Sequence, residues 1–176
     1  MRMVKIEQDA MVLAPRDVPS AKHERYEQLI NAAQKHGPIT VAVVHPCDGA
    51  SMSGALAASR LRLIKPILVG PVERLRSVAG HAGLQIDGIE LVRAAHSHDS
   101  AAQAVALVGA GSADALMKGS LHTDELMGAV ISSHSGIRTE RRISHCFVMD
   151  VPGYQSRSSS PTRRSISRQI SMPRLI

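Results

Sequence analysis

Short apolar runs rich in β-branched residues recur along the chain about 25 residues apart, and stretches of helical length separate them. The runs are Ile39–Val44, Pro66–Val69, Ile89–Val92, Ala115–Met117 and Ile143–Met149. The intervening segments read as helices at Ser53–Ile64, Pro71–Ala82, His98–Ala110 and Thr123–Ile131, after a first helix at Lys22–Lys35. Each carries its own boundary chemistry. Tyr26, Leu29, Ile30 and Ala33 lie near one face of the first helix, and Gly37-Pro38 stops it. Pro71 suits a first helical turn. Asp99 and Ser100 are capping candidates, and the acidic Thr123-Asp-Glu start complements a helix dipole. This alternation predicts an α/β fold: right-handed crossovers, a mostly parallel sheet and helices on both faces. Continuous apolar strands, as these are, belong to sheets covered on both sides.

Composition narrows the reading. The chain is 44% hydrophobic, which excludes a disordered chain, but only 2% aromatic, so its core must be built from Ala, Val, Leu, Ile and Met. No run approaches the roughly 18 apolar residues of a membrane span, and the N-terminus lacks a secretory apolar stretch. Cys47 and Cys146 are far apart and form no disulfide framework. A cytoplasmic protein is expected, with no membrane partner.

The net charge of +6 is confined to one end. Residues 155–176 hold Arg157, Arg163, Arg164, Arg168 and Arg174, seven serines and no acid, which leaves residues 1–154 at a net +1. The expected layout is an extension or linker over 1–20, an α/β domain over 21–154 and a Ser/Arg-rich, unstructured tail over 155–176. A cationic tail can engage phosphate charge on nucleic acid or an acidic partner, which would make the chain a non-catalytic binding module. The tail lacks the interleaved aromatics that stack on bases, so a nucleic-acid role is not the favoured one.

Ligands of parallel α/β sheets sit beyond the carboxyl ends of the strands. The loops there are His45–Ser51, Gly70-Pro71, Arg93–Asp99 and Lys118–Thr123. The last is the richest in chemistry. Lys118 ends a strand, Gly119 allows close backbone approach by a ligand, and Ser120, His122 and Thr123 lead into a helix N-terminus whose free N–H groups favour an anion. The alternative is an ordinary strand-to-helix turn bearing a surface lysine. Arg138, Arg141 and Arg142 offer guanidinium forks for phosphate, or else a solvated loop balanced in part by Glu140.

Other motifs carry less. Gly109-Ala-Gly-Ser112 lacks the Lys-Ser/Thr ending of a phosphate loop and reads as a helix stop. His96-Ser-His98-Asp99 has no companion cluster to complete a metal site and reads as a surface loop; no metal is expected. Cys47 beside His45 lacks a positioned third group and reads as a structural thiol.

Together, V-A-V-V-H-P-C-D, P-I-L-V-G-P, A-D-A-L-M-K-G-S-L-H-T-D-E-L, G-I-R-T-E-R-R-I-S-H-C-F-V-M-D and V-P-G-Y make Ile39–Tyr154 resemble the phosphate acetyl/butyryltransferases. That group includes the acyltransferase part of bifunctional hydratase chains. The ordered combination of Lys118-Gly119, Arg138 and Ser144-His145 is the most specific element. The resemblance implies transfer of an acyl group between coenzyme A and inorganic phosphate, with acyl-CoA as substrate and no bound cofactor. It also implies two α/β/α domains flanking a cleft, and a homodimer. The chain is expected to hold most of one domain, with Lys118, Gly119, Ser120, His122, Thr123, Arg138 and Arg142 on the phosphate side. The catalytic residues are expected in the part for which it has no counterpart.

After V-P-G-Y the family continues with an apolar strand ending in Thr-Asp-Ala, whereas Gln155 begins the Ser/Arg-rich segment. Inserting one nucleotide after the Tyr154 codon in a suitable back-translation of this segment restores such a strand, Thr-Asp-Ala included. Residues 155–176 are therefore expected to be out-of-frame translation. A marginally stable chain with little transferase activity is expected in turn.

Overall fold

The expected strands form where β-branched side chains can pack on both sides of a sheet. A computed structural model describes residues 24–133, 135–141 and 143, all within the unit Glu24–Val148. Its elements are α1 (Glu24–Gln34), β1 (Ile39–Val44), α2 (Gly49–Arg60), β2 (Ile64–Gly70), α3 (Val72–His81), β3 (Glu90–Arg93), α4 (Ser97–Gly109), β4 (Ala115–Lys118) and α5 (Thr123–Ile131). The four strands are all parallel, in the order β3-β2-β1-β4. This is the α/β class that the alternation of runs and helices implied. The expected strand at 143–149 lies outside the described residues, apart from Ile143.

Strand alternation sorts the core into two layers. Val41 and Val43 of β1 and Leu68 of β2 pack with Met52, Ala55 and Leu56 of α2 and Leu75 of α3. On the opposite face, Ala42, Val44, Ile67 and Val69 pack with Ala101, Ala104 and Val108 of α4 and Leu126 of α5. The chain thus builds outward from β1 through β2 to β3 and covers that side with α2 and α3. It then crosses the other face through α4 to set β4 on the far side of β1. Val44 is in register with both Val69 and Lys118, so these strand ends lie level. Consecutive connections diverge between β1 and β4, which makes their carboxyl ends the crevice where such sheets bind ligands.

Three local expectations shift. Helix α2 begins at Gly49, earlier than Ser53, because the Asp48 carboxylate accepts the Ser51 N–H at 2.7 Å and caps the first turn. It ends at Arg60, and Arg62 follows in the left-handed region with φ 57°. Helix α4 is capped by His96, whose ring nitrogen accepts the Asp99 N–H, while Asp99 itself accepts the Ala95 N–H and Ser100 is buried. The apolar face expected of α1 is uncovered among the described residues, with Tyr26 and Leu29 about half exposed; Gln34 of α1 donates to the Leu61 carbonyl. No described helix is long and apolar enough to cross a membrane.

Candidate functional site

The β1/β4 crevice is made by two loops that hydrogen-bond to each other. Gly119 N–H donates to Val44 O at 2.9 Å, and Ser120 N–H donates to His45 O at 3.0 Å. The Ser120 hydroxyl also donates to His45 O, at 2.9 Å, and accepts the Cys47 N–H at 3.2 Å. The backbone contact leaves no room for a side chain at position 119: a Cβ there would lie 2.4 Å from Val44 O and 2.6 Å from His45 O. Gly119 therefore admits the β1 backbone, where the sequence suggested that it admits a ligand. Lys118 is exposed at the strand end, its ammonium 3.4 Å from the Gly119 carbonyl. Asp48 lies across the crevice. Its carboxyl is held below the ordinary value chiefly by the Ser51 N–H, with a smaller contribution from the charge of Lys118.

The start of α5 is partly satisfied from within. Glu125 reaches back to accept the His122 N–H at 3.1 Å, and it also accepts the Ser97 hydroxyl at 3.0 Å and faces the His98 ring at 3.3 Å. Burial works to raise its pKa, yet the Ser97 hydroxyl, the His122 N–H and the two histidines hold it below the ordinary carboxylate value. The carboxylate so takes up one donor of the helix start and ties the first turn of α4 to α5. Sequence reading missed this role, because the partners are 28 residues apart and no periodicity links them.

His45 is 7% exposed, and its Nδ1 lies 2.9 Å from the Ser100 hydroxyl of α4. Burial, then the charge of Arg74, pushes its pKa below 6.5, and Glu125 opposes the shift. In the unfolded chain the ring titrates near ~6.5, so the stability associated with its neutral form is complete above that value. That stability falls as pH drops from there through the folded pKa. His45→Gln is expected to flatten this acid-side loss in urea unfolding followed from about pH 8 to about pH 5. An unchanged slope would contradict it. The neighbouring Cys47 is a free, buried thiol that burial pushes up, so it is protonated and suits a structural role better than a nucleophilic one.

The fold brings Lys118, Gly119, Ser120, His122 and Thr123 together on one loop, but Arg138 does not join them. Its guanidinium approaches the Ile131 carbonyl at 3.5 Å, at the opposite end of the nine-residue α5. That is roughly 12 Å of helix from the Lys118 loop. Arg138 instead lines a cavity of about 470 Å³ with Val130, Ile131, Ile137 and Arg141. Arg142, Ser144, His145 and Cys146 lie outside the described residues. His96 and His98 stand edge to face, 6.2 Å apart, and no cluster of three or more potential metal ligands occurs among the described residues.

No family model matches the chain. A phosphate acetyltransferase from Rhizobium meliloti is 51% identical over 134 residues, covering 76% of this chain and 42% of that protein. A probable phosphate butyryltransferase from Bacillus subtilis is 30% identical over 130 residues, covering 74% of this chain and 43% of that protein. Among solved structures, EutD phosphotransacetylase from Staphylococcus aureus superposes with a TM-score of 0.48 at 18% identity, over 56% of this chain and 39% of that one. A superposition that loose identifies nothing by itself. The chain spans about two fifths of the length of the curated relatives it matches. Sequence identity sustained across three quarters of its residues makes the chain a partial-length member of the phosphate acetyltransferase and butyryltransferase family.

Proposed function

We propose that this α/β unit supplies the phosphate-binding wall of a phosphate acyltransferase, which interconverts acyl-CoA and phosphate with acyl phosphate and coenzyme A. One observation carries the reading: the exposed ammonium of Lys118 stands at the β1/β4 divergence of a chain 51% identical to a phosphate acetyltransferase. Phosphate would lie over Gly119 and Ser120 beside the start of α5, where Lys118, His122 and the Thr123 turn supply positive charge and donors. The same charge would offset the oxyanion that develops on the acyl carbonyl oxygen. Arg138 belongs to this proposal as an outer cation, reached only by ligands that extend along α5, and Arg142 belongs to it from the sequence alone. The enzyme acts in the cytoplasm as a homodimer on this reading, and the Ser/Arg-rich 155–176 segment has no part in binding nucleic acid.

The proposal is tested at the position equivalent to Lys118 in an active, full-length relative. Replacement by Ala removes a charge-assisted contact of about 1.5–3 kcal/mol, so the KM for phosphate is expected to rise at least about tenfold while that for acetyl-CoA changes little. Unchanged phosphate kinetics would contradict the assignment.

A further inference from the structure

The chain folds back over the end of α5 and leaves a space there. Helix α5 stops at Ile131, where Ser132 takes an extended backbone. The Ser135 hydroxyl donates to the Val130 carbonyl at 2.9 Å and accepts the Ile137 N–H at 3.4 Å, while Gly136 makes the turn between them with φ 70°. The same turn lies against the end of α4, since a Cβ on Gly109 would stand 3.2 Å from Ser135 O. Residues beyond the turn and the last residues of α5 together line the cavity of about 470 Å³, a volume within the range of small-molecule sites.

The walls of this cavity are of two kinds. Val130 and Ile137 are half-buried and packed against the core layer that α4 and α5 share, so this part of the lining is fixed. Ile131 and Ile143 are 49% and 63% exposed and present branched apolar surface to water. Arg138 and Arg141 line the same space, and Glu140 is the one acid among its described lining residues. No ion pair joins Glu140 to either arginine, so neither guanidinium is neutralised. Arg138 directs one donor to the Ile131 carbonyl, which offsets the negative end of the α5 dipole that would otherwise oppose an anion. Aliphatic walls and guanidinium groups ask for two properties in one ligand. An inorganic anion would leave the isoleucines in water, and a neutral hydrocarbon would leave the guanidinium groups without a partner.

We propose that the cavity at the end of α5 binds a medium-chain aliphatic monocarboxylate. The carboxylate lies against Arg138 and Arg141, and the chain lies against the four aliphatic side chains. This site is at the opposite end of α5 from the Lys118 loop, so it stands whether or not phosphate binds at the β1/β4 crevice.

The test titrates hexanoate, butyrate and 1-hexanol into the full 176-residue chain labelled with ¹⁵N and follows the backbone amides. Hexanoate should give saturable shifts at Ile131, Ile137 and Ile143, with affinity rising about fourfold for each methylene added from butyrate. Arg138→Gln should weaken hexanoate about tenfold and leave 1-hexanol unchanged, as loss of a charge-assisted contact alone requires. Ile131→Ser should weaken hexanoate and 1-hexanol alike. Equal affinity for butyrate and hexanoate overturns the proposal, because the apolar lining would then take no part. Unchanged hexanoate binding in Arg138→Gln overturns it from the charged side. Hexanoate shifts confined to Gly119, Ser120 and Thr123 overturn it while an anion site at the crevice stands, and no saturable shift at millimolar hexanoate overturns it outright.

Discussion

Gly119→Ala is expected to destabilise the chain by about 3 kcal/mol or more, at the upper end of what overpacking costs. The new methyl carbon would sit 2.4 Å from Val44 O and 2.7 Å from the His45 carbonyl carbon, and neither is a side chain that can rotate away. Relief requires the β4 loop to separate from β1, which breaks the bonds from Gly119 N–H and Ser120 N–H that close the crevice. Gly128→Ala provides the control. This glycine lies within α5, and a Cβ there meets nothing within 4 Å, so the change should stabilise by about 0.5–1 kcal/mol through helix propensity. Urea unfolding of the two variants checks both signs. Equal and small effects would show that the close approach of the two loops is not part of the fold.

Leu68→Ala is expected to cost about 3 kcal/mol, within the range of about 2–5 kcal/mol for a large core side chain cut back to alanine. Leu68 is fully buried on β2, held between β1 and β3 and packed in the layer under α2 and α3. A parallel sheet covered on both faces cannot collapse around the vacated space without moving a helix. Leu61, 40% exposed at the end of α2, is the matched comparison and should cost less than about 1 kcal/mol on the same truncation. Comparable losses at both positions would contradict the assignment of the α2/α3 layer as core.

The sheet was legible in the sequence because parallel strands need apolar residues on both faces, and Ile39–Val44 and Pro66–Val69 are too short and too β-branched for buried helices. Helix α5 matched its expected span, Thr123–Ile131, because polar and acidic residues mark its start. What escaped was decided by single side chains. Asp48 turned an apparent loop into the first turn of α2, and His96 displaced Asp99 and Ser100 as the cap of α4. Neither has a periodic signature.

The site divides in the same way. The Lys118 loop was findable from topology alone, since a parallel sheet fixes where its loops converge. The His45–Ser100 bond joins residues 55 apart, and the Ser120–His45 bond joins residues 75 apart, so both depend on packing that no local pattern encodes. Gly119 was recognised as a position of close approach, but the approaching group is a neighbouring strand. Arg138 follows the Lys118 loop closely in sequence, and α5 carries it to the other end of the helix.

The central claim is that anions bind at the carboxyl ends of β1 and β4. It is tested most directly by titrating inorganic phosphate into the ¹⁵N-labelled chain and following the backbone amides. The account predicts saturable shifts at Gly119, Ser120, His122 and Thr123, with binding weakened about tenfold in Lys118→Ala, as loss of a charged phosphate contact requires. Shifts confined to Arg138–Arg141, or none at millimolar phosphate, would contradict it.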